Sequence, residues 1–278
     1  MTDNDTLRKG ERTRLQLKST ALRLFAQRGL ENVSIRDIQT AAGQKNNGSI
    51  SYYFSSRDAL IREIVADIAR MLDEDNNRRL DALEARGGPT DIRQVAEILL
   101  PLIGRPGRGA SEDDLYRLRF FTSVLITRRE LLYEATAGAD RATRRCFAHI
   151  RRLAPEMPAE ILRQRLHLML LYALSAGASM EAASGSDRNW RSLWGMSSAE
   201  ANLADTMAGM ITAPVSPEAL AGVGRPRERI QPLPQPRRAG PRPEAPDGDP
   251  GAAGAGPPAD EDRLQDGGAK AGRRGQAG

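Results

Sequence analysis

The side chains best suited to chemistry in this chain gather between Ser34 and Phe54, in SIRDIQTAAGQKNNGSISYYF. Lys45, Asn46, Asn47, Ser49, Ser51, Tyr52 and Tyr53 fall there, and their chemistry is recognition of a nucleic acid. Asparagine can bond the edge of adenine, serine can donate or accept at several bases, and lysine reaches guanine or a phosphate. The elements that would present them are readable around them. Ser34, with Asp37 three residues on, is a capping-box pattern that opens a helix ahead of Ile35, Ile38 and Ala41. Gly43 supplies the stop, because glycine takes the left-handed conformation at little cost. The polar run from Gln44 to Asn47 then starts a second helix that ends near Tyr53. Two short helices joined by a Gly-bearing turn make a helix-turn-helix, whose second helix can lie in a DNA major groove.

Charge points to the same segment. The chain carries +5 in total; residues 1–57 hold ten Lys/Arg against five Asp/Glu, residues 58–213 hold 21 against 22, and residues 214–278 ten against nine. The excess therefore sits where a polyanion would be met. Arg36 lies near the start of a helix, where anions are favoured, and Ser34 reads both as cap and as phosphate donor. Tyr52 reads equally well as a DNA contact or as core, while Ile50 and Phe54 read as core.

Other chemistries find little support. With two histidines and one cysteine there is no zinc spacing, no C-x-x-C pair and no disulfide, so neither a metal nor a cofactor is expected. The glycines of GRPGRGAS (104–111) follow no strand, and no nucleophile elbow or P-loop occurs, so no catalytic residue is assigned. A single cysteine fits a reducing, cytoplasmic setting. The N-terminus lacks the apolar core of a signal peptide. The longest uncharged apolar run, Leu168 to Met180, is 13 residues, short of a bilayer span, and no membrane partner is expected.

Scarce aromatics, at 4%, and frequent Ala, Leu and Arg predict an all-α fold. Residues 1–11 are expected to lack structure until DNA is present. Helical periodicity predicts helices over about Arg12–Arg28, from Ser55 (with Asp58 as capping partner) to about Leu83, from Thr90 through Leu102, and from Ser111 through Leu125. Further helices are expected over Arg128–Leu153, Ala159–Ala183 and Ser197–Thr212. From Pro214 onward 24 of 65 residues are Pro or Gly and none is aromatic, the composition of a disordered tail. The expected division is 1–57 as DNA-binding head, 58–213 as helical domain and 214–278 as tail.

Residues 12–64 resemble the DNA-binding segment of the TetR family of transcriptional regulators. Leu24, Phe25, Ala26, Gly29, Ser34, Ile35, Ile38, Ala42, Gly43, Tyr52, Phe54, Ser56, Arg57, Asp58 and Leu60 fall on the family pattern in order. Two departures stand out: Gln39 replaces a small residue, and the turn QKNNGSI is one residue longer, which puts Ser51 where the family often carries a tyrosine. The resemblance implies a three-helix head followed by a helical domain for ligand binding and dimerisation. It implies a homodimer on a palindromic double-stranded DNA operator, most often a repressor, released by a small-molecule effector. Arg36, Tyr53 and Arg57 would then hold phosphates. Candidate residues for the effector pocket are Tyr116, Arg119, Phe120, Tyr133, His149, Met169, Tyr172 and Trp190. Two other functions remain open: a DNA-binding dimer controlled by a protein partner, and a helical enzyme or carrier with a relic head.

Overall fold

The computed structural model describes residues 3–43, 52–101, 111–183 and 194–224, and side chains from residue 10 onward. Among them the regular structure is helical and no strand occurs. Residues 1–226 form one compact unit; a second, 227–278, lies outside the described residues, as does nearly all of the expected tail.

Helix α1 (Asp3–Arg28) takes in residues expected to lack structure, and ends where Gly29 turns to φ 85°. A 3-10 turn, Leu30–Asn32, leads to α2 (Ile35–Ala41). The capping box forms: Asp37 N–H donates to Ser34 Oγ at 3.2 Å, and Ser34 N–H returns to the Asp37 carboxylate at 2.8 Å. Gly43, at φ 67°, closes the helix with its N–H on Thr40 O.

The long α3 (Arg57–Glu84) is capped by Ser56, not Ser55. Ser56 is extended and its Oγ accepts from Ala59 N–H at 3.0 Å, which places Asp58 in the first turn, where a negative charge suits the helix dipole. A similar shift of one residue occurs at α4 (Ile92–Leu99). Its cap is Asp91, which accepts from Gln94 N–H, while Thr90 is tied to the Gln94 side chain.

Ser111 and Asp114 form the expected box, but around a 3-10 turn (Glu112–Leu115) ahead of α5 (Arg117–Thr127). The helix expected over 128–153 is two helices, α6 (Arg129–Ala135) and α7 (Arg141–Leu153), because Gly138 turns to φ 84° between them. Helix α8 (Ala159–Ala183) matches its expected bounds, and α9 (Ala199–Thr212) starts two residues late. The described chain then runs past Pro214 into a short helix, α10 (Pro217–Ala221). Arg165 on α8 holds that exit through Ile211 O (2.8 Å) and Pro214 O (3.1 Å), so this part of the segment read as tail is ordered.

Two apolar cores result. The first joins Leu17, Phe25 and Ile38 of the head to Leu60, Ile64 and Ile68 of α3, and continues into Phe120, Phe121, Val124 and Leu132. The boundary read at residue 57 therefore runs through this core. The second packs Leu80 with α4, α7, α8 and α9 through Val95, Cys146, Leu166, Met169 and Met207. Helix α8 is long and apolar enough, by length and composition, to pass for a membrane span. In this fold it packs against α5 and α9.

Candidate nucleic-acid interface and effector cavity

The described part of the interface is the rim around α2. Ser34 is exposed, and its hydroxyl also donates to Asp37. That hydroxyl, with the Ser34 N–H, holds the Asp37 carboxyl below its usual range. Arg36 is exposed, and among the described residues no side chain pairs with it. Tyr52 is 82% exposed, which removes it from the core. Tyr53 meets it edge-on at 5.0 Å but packs its own ring on the head core, with the hydroxyl against Gly10 of α1. Lys45, Asn46, Asn47, Ser49 and Ser51 lie outside the described residues.

Arg57 bonds within the head. Its Nε donates to Val33 O at 3.1 Å, a second guanidinium nitrogen bonds Leu30 O, and the group lies over the Phe25 ring at 5.3 Å. It braces the turn between α1 and α2. The same side chain is the one expected at a phosphate, and two of its nitrogens are engaged here by carbonyls of the head.

Beneath the head, Phe25 of α1 stacks on Phe120 of α5 at 5.9 Å. Polar bonds flank the stack: Ser19 Oγ to Asp113 at 2.7 Å, Gln27 Nε2 to Tyr116 Oη at 3.2 Å, and Arg128 to Glu31 at 2.8 Å. The Arg128 bond holds the Glu31 carboxyl below its usual range.

A cavity of about 440 Å³ opens where the two cores meet. Phe121, Leu125, Leu132 and Leu174 line it from the head side, and Leu99, Phe147, Leu170 and Ala173 from the other. Its polar wall includes Asn76, Arg129, Tyr133, Asp140, Arg144 and His167. Asp140 and Arg144 pair at 3.2 Å, and the Arg129 guanidinium lies over the Tyr133 ring at 5.9 Å.

Of the residues expected to form an effector pocket, Tyr133 alone lines this cavity among the described ones. Phe120 is fully buried in the stack under the head, and its neighbour Phe121 faces the cavity instead. Met169 is fully buried in the second core, and Tyr172 packs beside it. His149 bonds Glu84 at 2.8 Å on the surface, so His167 is the cavity's imidazole. Tyr116 and Arg119 stack on each other at 4.9 Å by the head, and Trp190 lies outside the described residues. The lining residues that sequence reasoning missed, Phe121 and Leu125, were visible only as members of an apolar helical stripe.

Among the described residues no His, Cys, Asp and Glu cluster could hold a metal ion. Burial pushes the Cys146 thiol up to about 12, which keeps it protonated and unreactive.

Residues 17–64 match the family model for bacterial regulatory proteins of the tetR family. That span is the head just described, from the middle of α1 into α3. The head is that of the TetR family. The chain is thus a DNA-binding transcriptional regulator with a TetR-type helix-turn-helix. Among solved structures it is similar to Salmonella enterica GusR at 18% identity, over 72% of this chain and 95% of that one, with a TM-score of 0.42. No curated protein matches the chain.

Proposed function

We propose that this TetR-type chain acts as a homodimeric repressor, released from a palindromic operator by a small molecule held in the cavity between the two cores. The observation that carries this reading is the phase of α5. Phe120 stacks on the head's Phe25, while its neighbour Phe121, with Leu125, forms a wall of the cavity. A ligand that prefers one position of α5 therefore prefers one position of the head, and a differential affinity of a few kcal/mol suffices to shift the balance. A sealed helical domain would have favoured a protein partner instead; the open cavity favours a small molecule.

Pairing of α8 and α9 with their copies in a second chain would give the dimer. Leu168, 54% exposed on α8, supports that surface. Two recognition segments would then enter major grooves about 34–36 Å apart, or further if the heads spread. Arg36 and Tyr52 at the exposed rim would contribute backbone contacts, Ser34 would present its helix N-terminus, and Lys45, Asn46, Asn47, Ser49 and Ser51 would read bases.

The test is capture of genomic fragments by the purified chain at about 0.15 M salt, followed by footprinting. Two symmetric protected halves support the operator, and diffuse binding erased by salt overturns it. Compounds that raise the thermal midpoint are then added to the complex. Release by one of them, and no release from Leu170→Trp, which narrows the cavity, supports the effector reading.

A further inference from the structure

The N-terminal turn of α5 has no cap of its own: Tyr116 stands at the cap position and makes no side-chain bond there. A side chain from α8 fills that role. Glu181 accepts Leu118 N–H at 2.8 Å and Arg119 N–H at 2.9 Å, one on each carboxylate oxygen, and the residue is 5% exposed. The two helices are in close contact beside it. A Cβ on Gly177 would stand 2.6 Å from Leu118 Cδ1 and 3.0 Å from Pro101 Cγ, so α5 has little room to move without disturbing α8.

Among the described residues, the charged groups facing Glu181 come from α5. Arg119 and Arg117 both attract it, but Arg117 is also paired with Asp114 at 2.7 Å, and Arg119 bonds Leu115 O and lies over the Tyr116 ring. The described part of α8 beyond Tyr172 brings no other ionisable side chain, and Pro101 at the end of α4 brings none. Burial raises the Glu181 carboxyl to about 7, against the opposing pull of the two N–H bonds and the two arginines. As a carboxylate it accepts two N–H groups at the positive end of a helix; taking up a proton from water weakens one of those acceptors and adds a donor.

We propose that Glu181 is a proton-sensitive positioning residue: its carboxylate holds the first turn of α5, and through Phe120 the seat of the head, so that one proton resets the head. The device regulates the same coupling helix as the proposed effector, and its consequence for DNA rests on the regulator reading. Only Arg119 separates Leu118 from Phe120, so a shift of that turn reaches the Phe25 stack with little slack.

The test follows backbone amides of the full chain by TROSY spectra between about pH 5.5 and 8.5, with the carboxyl resonance of Glu181 and both histidine rings tracked alongside. Leu118, Arg119 and Phe25 are expected to titrate with the midpoint of the Glu181 carboxyl, and to stay at their low-pH positions throughout in Glu181→Gln. Amides that stay still, or that titrate equally in Glu181→Gln, overturn the proposal. Titration of Leu118 and Arg119 without Phe25 reduces Glu181 to a local cap and also overturns it. Where Glu181→Gln does not fold, wild-type amides that follow a histidine midpoint rather than the carboxyl have the same meaning. Operator affinity should change roughly five-fold or more across the same midpoint. Absence of DNA binding at every pH sinks the regulator reading alone and leaves the amide result to decide this one.

Discussion

The first core and the second differ in what their polar neighbours do. Around the first, side chains of the head meet side chains of the helical domain, as in Ser19 with Asp113, Gln27 with Tyr116 and Arg128 with Glu31. Each such contact is partly or fully exposed and is worth little alone. Around the second, side-chain pairs such as Arg145 with Glu84 and Arg93 with Asp205 are joined by arginines that bond backbone carbonyls across helix ends. Arg79 reaches those of Glu97 and Leu100, Arg152 that of Pro89, and Arg165 those of Ile211 and Pro214. Side-chain pairs around both cores can exchange, and the carbonyls held by Arg79, Arg152 and Arg165 add to the second a tie that resists a shift. The cavity lies between the two, so the first core is the part that a ligand would move against the second.

The largest test of that contrast removes one buried side chain from each core. Phe120→Ala should cost about 3–5 kcal/mol and Met169→Ala about 2–5 kcal/mol, since each leaves a cavity in packed surroundings. Urea unfolding would read both. At temperatures where both stay folded, only Phe120→Ala should also weaken operator binding. An equal loss from Met169→Ala would show that the second core moves with the head.

Arg57 gives the next effect. Deleting its guanidinium strips two buried-side partners from the turn between α1 and α2, an expected loss of about 1.5–3 kcal/mol for bonds to a charged group. Arg57→Lys should recover little, because an ammonium cannot reproduce the fork on both carbonyls. Arg57→Ala with an unchanged thermal midpoint but a shallower salt slope for DNA would support the phosphate reading.

The joint between α5 and α8 should respond at a similar or smaller scale. Gly177→Ala forces a contact with the buried Leu118 and should cost about 1–3 kcal/mol. Glu181 adds a pH slope of definite sign. Its folded-state value of about 7 lies above the ordinary 4.5, so the stability it contributes is fully present below 4.5 and is lost as pH rises to about 7. Thermal midpoints of Glu181→Gln should lack that part of the slope. The same slope in both proteins would assign it to other groups.

What the sequence disclosed follows from how local each feature is. The capping box at Ser34, the stop at Gly43 and the bounds of α8 rest on neighbours within a few residues, and all three stand in the structure. The internal bonds of Arg57 were not legible because its partners, Leu30 and Val33, lie 27 and 24 residues away, and position in a helix does not reveal them. The cavity was missed by one residue of helical phase: both Phe120 and Phe121 are apolar, and tertiary packing alone decides which faces the head. The split at Gly138 was legible in principle, since a glycine with positive φ ends a helix, but one glycine inside an apolar pattern is also tolerated.

The smallest expected effects separate structure from contact within the head itself. Ser34→Ala removes the acceptor for Asp37 N–H and should cost about 1 kcal/mol, with weaker DNA binding following only from a frayed α2. Ser34→Asp, which keeps a capping oxygen, should then restore stability while its negative charge repels a phosphate. Arg36→Ala should leave the thermal midpoint within roughly 0.5 kcal/mol of the wild type, since an exposed side chain with no ion-pair partner among the described residues holds nothing in place. Its DNA affinity should fall alike for all sequences, with the salt slope reduced by about one phosphate. Arg36 and Arg57 thus exchange signatures relative to a reading in which both touch the backbone. One binding isotherm at two salt concentrations, beside one melting curve for each variant, decides which arginine faces DNA.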